Sequence, residues 1–335
     1  MPDLIVGGYA EPGARGLYAL AADDDGLMVG SVLAPVVNVS GGVRLPGTAR
    51  WFFVDERASR IVLLDSAAGW RELTSVASGG DGPCHLAYDA ATDVLVCANY
   101  DSGAVTLFPL DCGFPINPPA TYQSKGTGPN RGRQAGPHAH WVGFAPDGRL
   151  YAVDLGSDRV LCFGKTTGRS LAEPITAYAA PPGSGPRQLA LHPTLPVALL
   201  VSELASTLTV LNVAPDGSLS ARTILSTLPD PAAADSLGGA IAFNTDGSRA
   251  YVSNRGDDSI ASFAIDGDGN TTLLGHAPSG GKSPRFLLVA DERLYVAHET
   301  SGGVTALPLD DDGCARAFVA HVDIPGAAFL GNLSG

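Results

Sequence analysis

The chain has 335 residues, 45% of them apolar, and carries 21 Lys and Arg against 34 Asp and Glu. Its formal net charge of −13 excludes nucleic acid and anionic membrane surfaces as partners, because a polyanion repels it. The 42 glycines and 25 prolines favour many short strands joined by tight turns.

No run of eighteen apolar residues occurs, so no membrane span is expected. Met1-Pro2-Asp3-Leu4 shows neither a basic n-region nor a signal-like apolar stretch, which points to a cytoplasmic protein. The five cysteines (Cys84, Cys97, Cys112, Cys162, Cys314) form no CxxC pair, and this scattered odd count suits thiols in a reducing compartment.

In chain order, residues 4–9 open with an apolar run, and a divergent unit surrounds residues 44–65. Clearer repeats follow. Gly82-Pro83-Cys84-His85-Leu86 leads through an apolar run to Ala98-Asn99-Tyr100. Gly136-Pro137-His138-Ala139-His140 leads to Asp154-Leu155-Gly156-Ser157-Asp158. Gly185-Pro186-Arg187 leads to Ser202-Glu203, Gly238-Gly239-Ala240 to Asn254-Arg255-Gly256, and Ser283-Pro284-Arg285 to His298-Glu299. A third apolar strand follows each time and a weaker fourth precedes the next repeat. Asp147-Gly148 and Asp246-Gly247 supply turns between the first two strands. Helical periodicity is nearly absent, residues 232–237 amounting to one turn at most.

A period of roughly 45–55 residues without helices predicts an all-β, seven-bladed β-propeller of four-stranded antiparallel blades, one domain over residues 1–335. Pairing of the N- and C-terminal strands would close the ring and remove its exposed edges.

In such a ring the first strands start and the second strands end on one face. The expectation is therefore that His85, His138, His140, Arg187 and Arg285 meet Asn99, Asp154, Glu203, Arg255, His298 and Glu299 at a channel mouth. Guanidinium groups bind carboxylate or phosphate bidentately, so Arg187 and Arg255 suit an anionic substrate. Arg187 paired with Glu203 reads equally as a salt bridge ordering the channel. His138 and His140, two residues apart, should share a strand face beside Asp154. Those three could ligate a metal, though none is expected. His192 reads as structural, and His276 and His321 have no supporting pattern. Asp101, Asp158, Asp257 and Asp258 read as turn-stabilising. Asp310-Asp311-Asp312 and Asp23-Asp24-Asp25 read as solvated turns.

At these motifs the chain resembles the lactonase family of seven-bladed propellers, which includes 6-phosphogluconolactonase and 3-carboxy-cis,cis-muconate lactonizing enzyme. The likeness runs through Arg133-Gln134, Pro137 to His140, Asp154 to Asp158, Gly185-Pro186-Arg187, Glu203, Tyr251 to Gly256 and Pro284-Arg285-Phe286, with Ala98-Asn99-Tyr100 and Val6-Gly7-Gly8-Tyr9. The opening of the 44–80 unit, Leu45-Pro46-Gly47-Thr48, and the C-terminal stretch from Ile324 depart from it.

The resemblance implies a monomeric lactone hydrolase without cofactor or metal, acting on 6-phosphogluconolactone. Glu203 would be the general base on water and His138 or His140 would share proton transfer. Arg187 and Arg255 would complete the catalytic set, while Arg285, Asp154, Asn99, His85 and Arg133 would bind a small anionic lactone. Arg133, Arg187, Arg255, Arg285 and Lys282 would supply a local positive field on an acidic protein. The alternatives are a carboxymuconate-type cycloisomerase, a lactonase for a non-phosphorylated aldonolactone, and a non-catalytic propeller interaction module.

Overall fold

Val94–Asn99 shows why these segments form buried strands. Every residue of it is buried, and alternate side chains go to opposite neighbours. Val94, Val96 and Ala98 pack with Val142 and Ala152 of the following sheet, while Leu95 and Cys97 pack with Phe52, Val54 and Leu63 of the preceding one. A strand buried on both faces reads as an unbroken apolar run, because both sides of the pleat need hydrocarbon. Removing such a side chain to Ala costs about 2–5 kcal/mol.

The computed structural model describes residues 3–23, 26–166, 168–230 and 235–333. These residues form seven antiparallel sheets and no helix, an all-β, seven-bladed architecture. Strands within each blade are lettered A to D in hydrogen-bonded order. Blade 1 takes strand A from the C-terminus, Ala327–Asn332, followed by Asp3–Gly8, Leu17–Asp23 and Gly26–Ala34. The expected pairing of the chain ends is present, with Ile5 opposite Gly331. Blade 2 is Gly42–Arg44, Arg50–Asp55, Arg60–Asp65 and Arg71–Ala77. Blade 3 is Pro83–Asp89, Val94–Asn99, Ala104–Asp111 and Ala120–Gln123, with Phe114–Pro115 as an extra pairing on strand C.

Blade 4 is Ala139–Phe144, Arg149–Asp154, Arg159–Lys165 and Ile175–Ala179. Blade 5 is Pro186–Leu191, Val197–Ser202, Thr207–Val213 and Leu219–Ser226. Blade 6 is Leu237–Phe243, Arg249–Arg255, Ser259–Ile265 and Thr271–Pro278. Blade 7 is Pro284–Ala290, Arg293–His298, Val304–Pro308 and Ala320–Val322.

Contacts divide the chain into two compact units. Unit 1 holds residues 1–37, 188–212 and 221–335, and unit 2 holds residues 38–187 and 213–220.

Two repeated joints hold neighbouring blades within each unit. At the last residue of strand B, a buried polar side chain reaches back to the end of the preceding blade's strand D. Asn99 donates to the Ser78 carbonyl, Asn254 donates to the Thr227 carbonyl, and His298 Nε2 lies 3.2 Å from Ser279 Oγ. The second joint reaches forward from the left-handed residue of the B–C turn. Asp158 (φ 53°) accepts the Gly183 and Gly185 N–H groups at 2.7 and 2.8 Å, Asp258 (φ 56°) accepts Ser283 N–H, and Ser206 donates to the Ser236 carbonyl. The turn-stabilising carboxylates Asp158 and Asp258 thus also fix the lead-in to the next strand A.

The register corrects the alignment of the repeats. Pro83 lies opposite Asn99 and Pro284 opposite His298, but Ala139 lies opposite Asp154. Gly136-Pro137 therefore sits two residues ahead of Gly82-Pro83, and His138 takes the place of Gly82. Each of these strands bulges at its next residue, which makes Cys84, His140 and Arg285 counterparts. A bulge re-aims its extra side chain. Gly156 is required in the same corner, because a Cβ there would stand 2.0 Å from the Gly136 carbonyl oxygen.

The Asp310 turn has the expected form, its Oδ1 accepting the Asp312 and Cys314 N–H groups. At the other acidic turn Gly26 N–H donates to Asp23 Oδ1, while Asp24 and Asp25 lie outside the described residues. Residues 232–234 of the single turn expected at 232–237 also lie outside them, and Leu237 begins a strand. Buried His192 receives Thr194 and Leu195 N–H on Nδ1 and meets the Gly247 carbonyl through Nε2, a structural role. Among the described residues no helix is long and apolar enough to cross a membrane.

Candidate active site

The residue after strand B decides which polar groups are presented and which are enclosed. One step along a strand reverses the side chain's face. Asn99 and His298 end their strands and turn into the joints, and Asp154 ends its strand and turns into its own corner, whereas Tyr100, Glu203 and Glu299 lie one residue further on. Arg255 follows Asn254 in the same way.

This overturns two expectations. Asn99 is wholly enclosed, its amide donating to the Ser78 and Ala104 carbonyls and to Thr106 Oγ1, so it presents nothing to a substrate. Asp154 is enclosed as well. Its Oδ1 accepts backbone N–H from His138, Gly156 and Ser157, and its Oδ2 accepts the Ser157 hydroxyl. Burial nevertheless pushes its carboxyl above the usual range, with these hydrogen bonds opposing the shift. Asp154 thus meets the His138 backbone, and the imidazole–carboxylate pair read from the sequence is replaced by a turn cap. Among the described residues no three His, Cys, Asp or Glu side chains are grouped to hold a metal.

In unit 2 the half-exposed Tyr100 gathers the expected histidines. The His138 ring stacks on it at 4.5 Å and 21°, and the His140 ring meets it edge-on at 5.4 Å and 79°. The two imidazoles therefore share one neighbour, although His138 precedes the strand and His140 is its bulged residue. His138 Nδ1 lies 2.9 Å from the Tyr100 carbonyl oxygen, which can only accept, so Nδ1 carries the proton and Nε2 is left as the acceptor. Arg133 donates from Nη2 to the Tyr100 hydroxyl at 3.2 Å. The loop carrying Arg133 is pinned by fully buried Gln134, which donates to the Leu155 carbonyl and to Asp158 Oδ1. Asp158 therefore ties the Arg133 loop to the lead-in of buried Arg187.

His85 lies deeper. Its ring packs near Trp141 at 5.6 Å, and its buried Nδ1 has no hydrogen-bond partner. Burial, with the Arg187 charge second, lowers its pKa to about 4, against a hydrogen bond to the Val142 backbone that raises it. A neutral His85 bridging to the next blade parallels Gln188, whose amide exchanges two hydrogen bonds with the Ile241 backbone.

In unit 1 the arginines are matched to carboxylates. Arg255 Nη2 stands 2.6 Å from Glu203 Oε2 and also donates to the Gly238 carbonyl, while its buried Nε has no partner. Arg285 Nη1 lies 3.2 Å from Glu299 Oε2, and its guanidinium stands 5.1 Å from the centre of the Tyr9 ring. Lys282 is exposed. The positive field expected from Arg255 and Arg285 is thus balanced at close range by Glu203 and Glu299.

A cavity of unit 1, about 610 Å³, lies elsewhere. It sits at the A–B turn ends of blades 6 and 7, lined by Asp246, Asp291, Glu292, Asp310 and Asp311 with Arg249, a poor host for an anion.

The family model for lactonases of the seven-bladed β-propeller type matches residues 3–330. The chain belongs to this lactonase family. It is 32% identical to the 6-phosphogluconolactonase of Bacillus subtilis over 247 residues, which cover 68% of this chain and 70% of that one. A Lactobacillus plantarum protein of known structure superimposes with a TM-score of 0.91 at 26% identity, over 99% of this chain and all of the other. The periplasmic gluconolactonase of Pseudomonas aeruginosa superimposes with a TM-score of 0.88 at 24% identity over 99% and 98%, which establishes a shared fold.

Tyr100 is the site residue that the sequence reading quoted without assigning it a role. Its signal is positional, because it follows strand B as Glu203 does.

Proposed function

We propose that this lactonase hydrolyses an anionic sugar-acid lactone, with 6-phosphogluconolactone as first choice. The observation that carries the reading is the His138 ring. With its Nδ1 proton given to the Tyr100 carbonyl, its Nε2 is oriented and free to take a proton from water. The base assigned to Glu203 from the sequence moves to His138, because Arg255 occupies Glu203 Oε2. Glu203 then orients Arg255, whose guanidinium is a candidate for the substrate anion or the developing oxyanion, and Arg187 keeps the anion-binding role its residue type suggests. His140 completes the imidazole face, and Arg133 and Arg285 remain substrate-binding candidates.

The likeness to the Bacillus subtilis enzyme supports the phosphorylated substrate. A second reading, a non-phosphorylated aldonolactone, is favoured by the carboxylate partners of Arg255 and Arg285, which weaken the field a phosphate dianion would use. A cytoplasmic location agrees with the odd, scattered cysteine count.

The test is a pH-stat assay over phosphorylated and plain lactones, with spontaneous opening subtracted. His138→Gln should lower kcat about 100-fold while the far-UV spectrum and Tm stay as in the parent. Unaltered turnover in that variant would remove His138 from the reaction.

A further inference from the structure

We propose that Tyr100 is the general acid of the reaction, its phenol O–H protonating the ring oxygen that leaves as the lactone opens. The proposal rests on the lactone-hydrolase reading above and adds a residue that reading does not use.

Hydrolysis needs two proton transfers. One removes a proton from the attacking water, and the other delivers one to the departing alkoxide. His138 Nε2 serves the first. A second donor beside it serves the other without requiring the imidazolium to turn from the attacking oxygen to the leaving one.

Tyr100 meets that need on three independent observations. It lies one residue beyond strand B and is half-exposed, unlike the enclosed Asn99 before it. Its ring is in direct stacking contact with His138. Its hydroxyl oxygen accepts a hydrogen bond from Arg133 Nη2, so the phenolic proton is left to point at another acceptor. A guanidinium on that oxygen also stabilises the phenolate formed when the proton leaves.

The proton balance closes within this group. The water oxygen adds to the carbonyl carbon as its proton passes to His138 Nε2. When the tetrahedral intermediate collapses, the bond between carbonyl carbon and ring oxygen breaks. Its electron pair goes to the ring oxygen, which takes the Tyr100 proton. The phenolate then recovers a proton from the imidazolium. Both groups return to their starting state, and the product is the hydroxy acid.

The experiment compares Tyr100→Phe, which keeps the ring and loses only the hydroxyl, with Tyr100→Leu, which loses both. On an aliphatic sugar lactone Tyr100→Phe should lower kcat about 100-fold, with KM changed less than about threefold and Tm unchanged. Tyr100→Leu should lower kcat by a similar factor. Arg133→Met should lower kcat about tenfold in the parent and have no further effect in the Tyr100→Phe background, because its action runs through the phenol. Parental activity in Tyr100→Phe, with loss confined to Tyr100→Leu, would leave Tyr100 a stacking support and overturn the proposal. A parent enzyme that opens no lactone would instead remove the underlying lactonase reading, and this proposal with it.

Discussion

Arg255 Nη2 lies 2.6 Å from Glu203 Oε2, and the Glu203 side chain is only 2% exposed. A pair held this far from solvent is unforgiving, because deleting one member strands the other charge in a medium that solvates it poorly. Arg255→Ala should cost about 3–5 kcal/mol of unfolding free energy. Glu203→Gln keeps the shape and a hydrogen-bond acceptor, so it should cost less. It should raise KM for an anionic lactone about tenfold by loosening Arg255, with kcat changed less. Urea titrations and initial rates read the two effects separately. A collapse of kcat at constant KM would return the base to Glu203.

Asp158 receives N–H groups from Gly183, Gly185 and Gln134 on one carboxylate. Asp158→Asn leaves one acceptor oxygen and sets an amide N–H against a backbone N–H. The expected cost is about 2–3 kcal/mol, with a several-fold rise in KM as the Arg187 lead-in loosens. Denaturation and saturation curves of the single variant check both.

His298 supplies a pH dependence of stability. Burial, followed by the His321 charge, lowers its pKa from 6.5 to about 4, against the opposing Asp258 charge and hydrogen bonds to the Ser279 and Gly303 backbone. The unfolded chain therefore binds this proton below pH 6.5, while the folded chain resists it until about pH 4. Stability present above pH 6.5 should be lost as pH falls through that window and level off beneath it, by on the order of 3 kcal/mol at most. The raised carboxyl of Asp154 acts in the opposite direction on acidification. His298→Asn installs the residue that Asn99 and Asn254 already provide at the same joint, so it should fold and lessen the loss between pH 6.5 and 4, leaving the part that His85 contributes in the same window. An unaltered profile in that variant would assign the acid sensitivity to other groups.

His85 holds a position at which Gln188 makes the equivalent inter-blade bridge. His85→Gln should accordingly leave activity within about twofold and stability within about 1 kcal/mol. A tenfold loss of lactone hydrolysis without loss of stability would restore His85 as a substrate ligand.

The blade repeat was legible because each strand B is an apolar run with turn residues at both ends, a local pattern that needs no knowledge of partners. Glu203, Arg255, His138 and His140 stand at those ends as polar groups that the same local pattern marks. The errors came from counting along the chain across irregular backbone. The repeated Gly-Pro invited an alignment of Gly136 with Gly82, yet hydrogen bonding sets Ala139 where Pro83 stands. Asn99 and Asp154 were placed among the presented groups because a single residue separates the two faces of a strand, and only the paired register reveals which face is which.

The sequence by itself determined the all-β fold, the seven repeats and the lactonase family, since all three follow from the order of short motifs and the period of buried residues. Tertiary structure alone decided that Asn99 and His298 are joints, that Asp158 serves two loops, that Glu203 is held by Arg255, and that Tyr100 stands against His138. Those relations depend on angstrom-scale register and on side chains from separate blades, and residue spacing along a chain does not encode either.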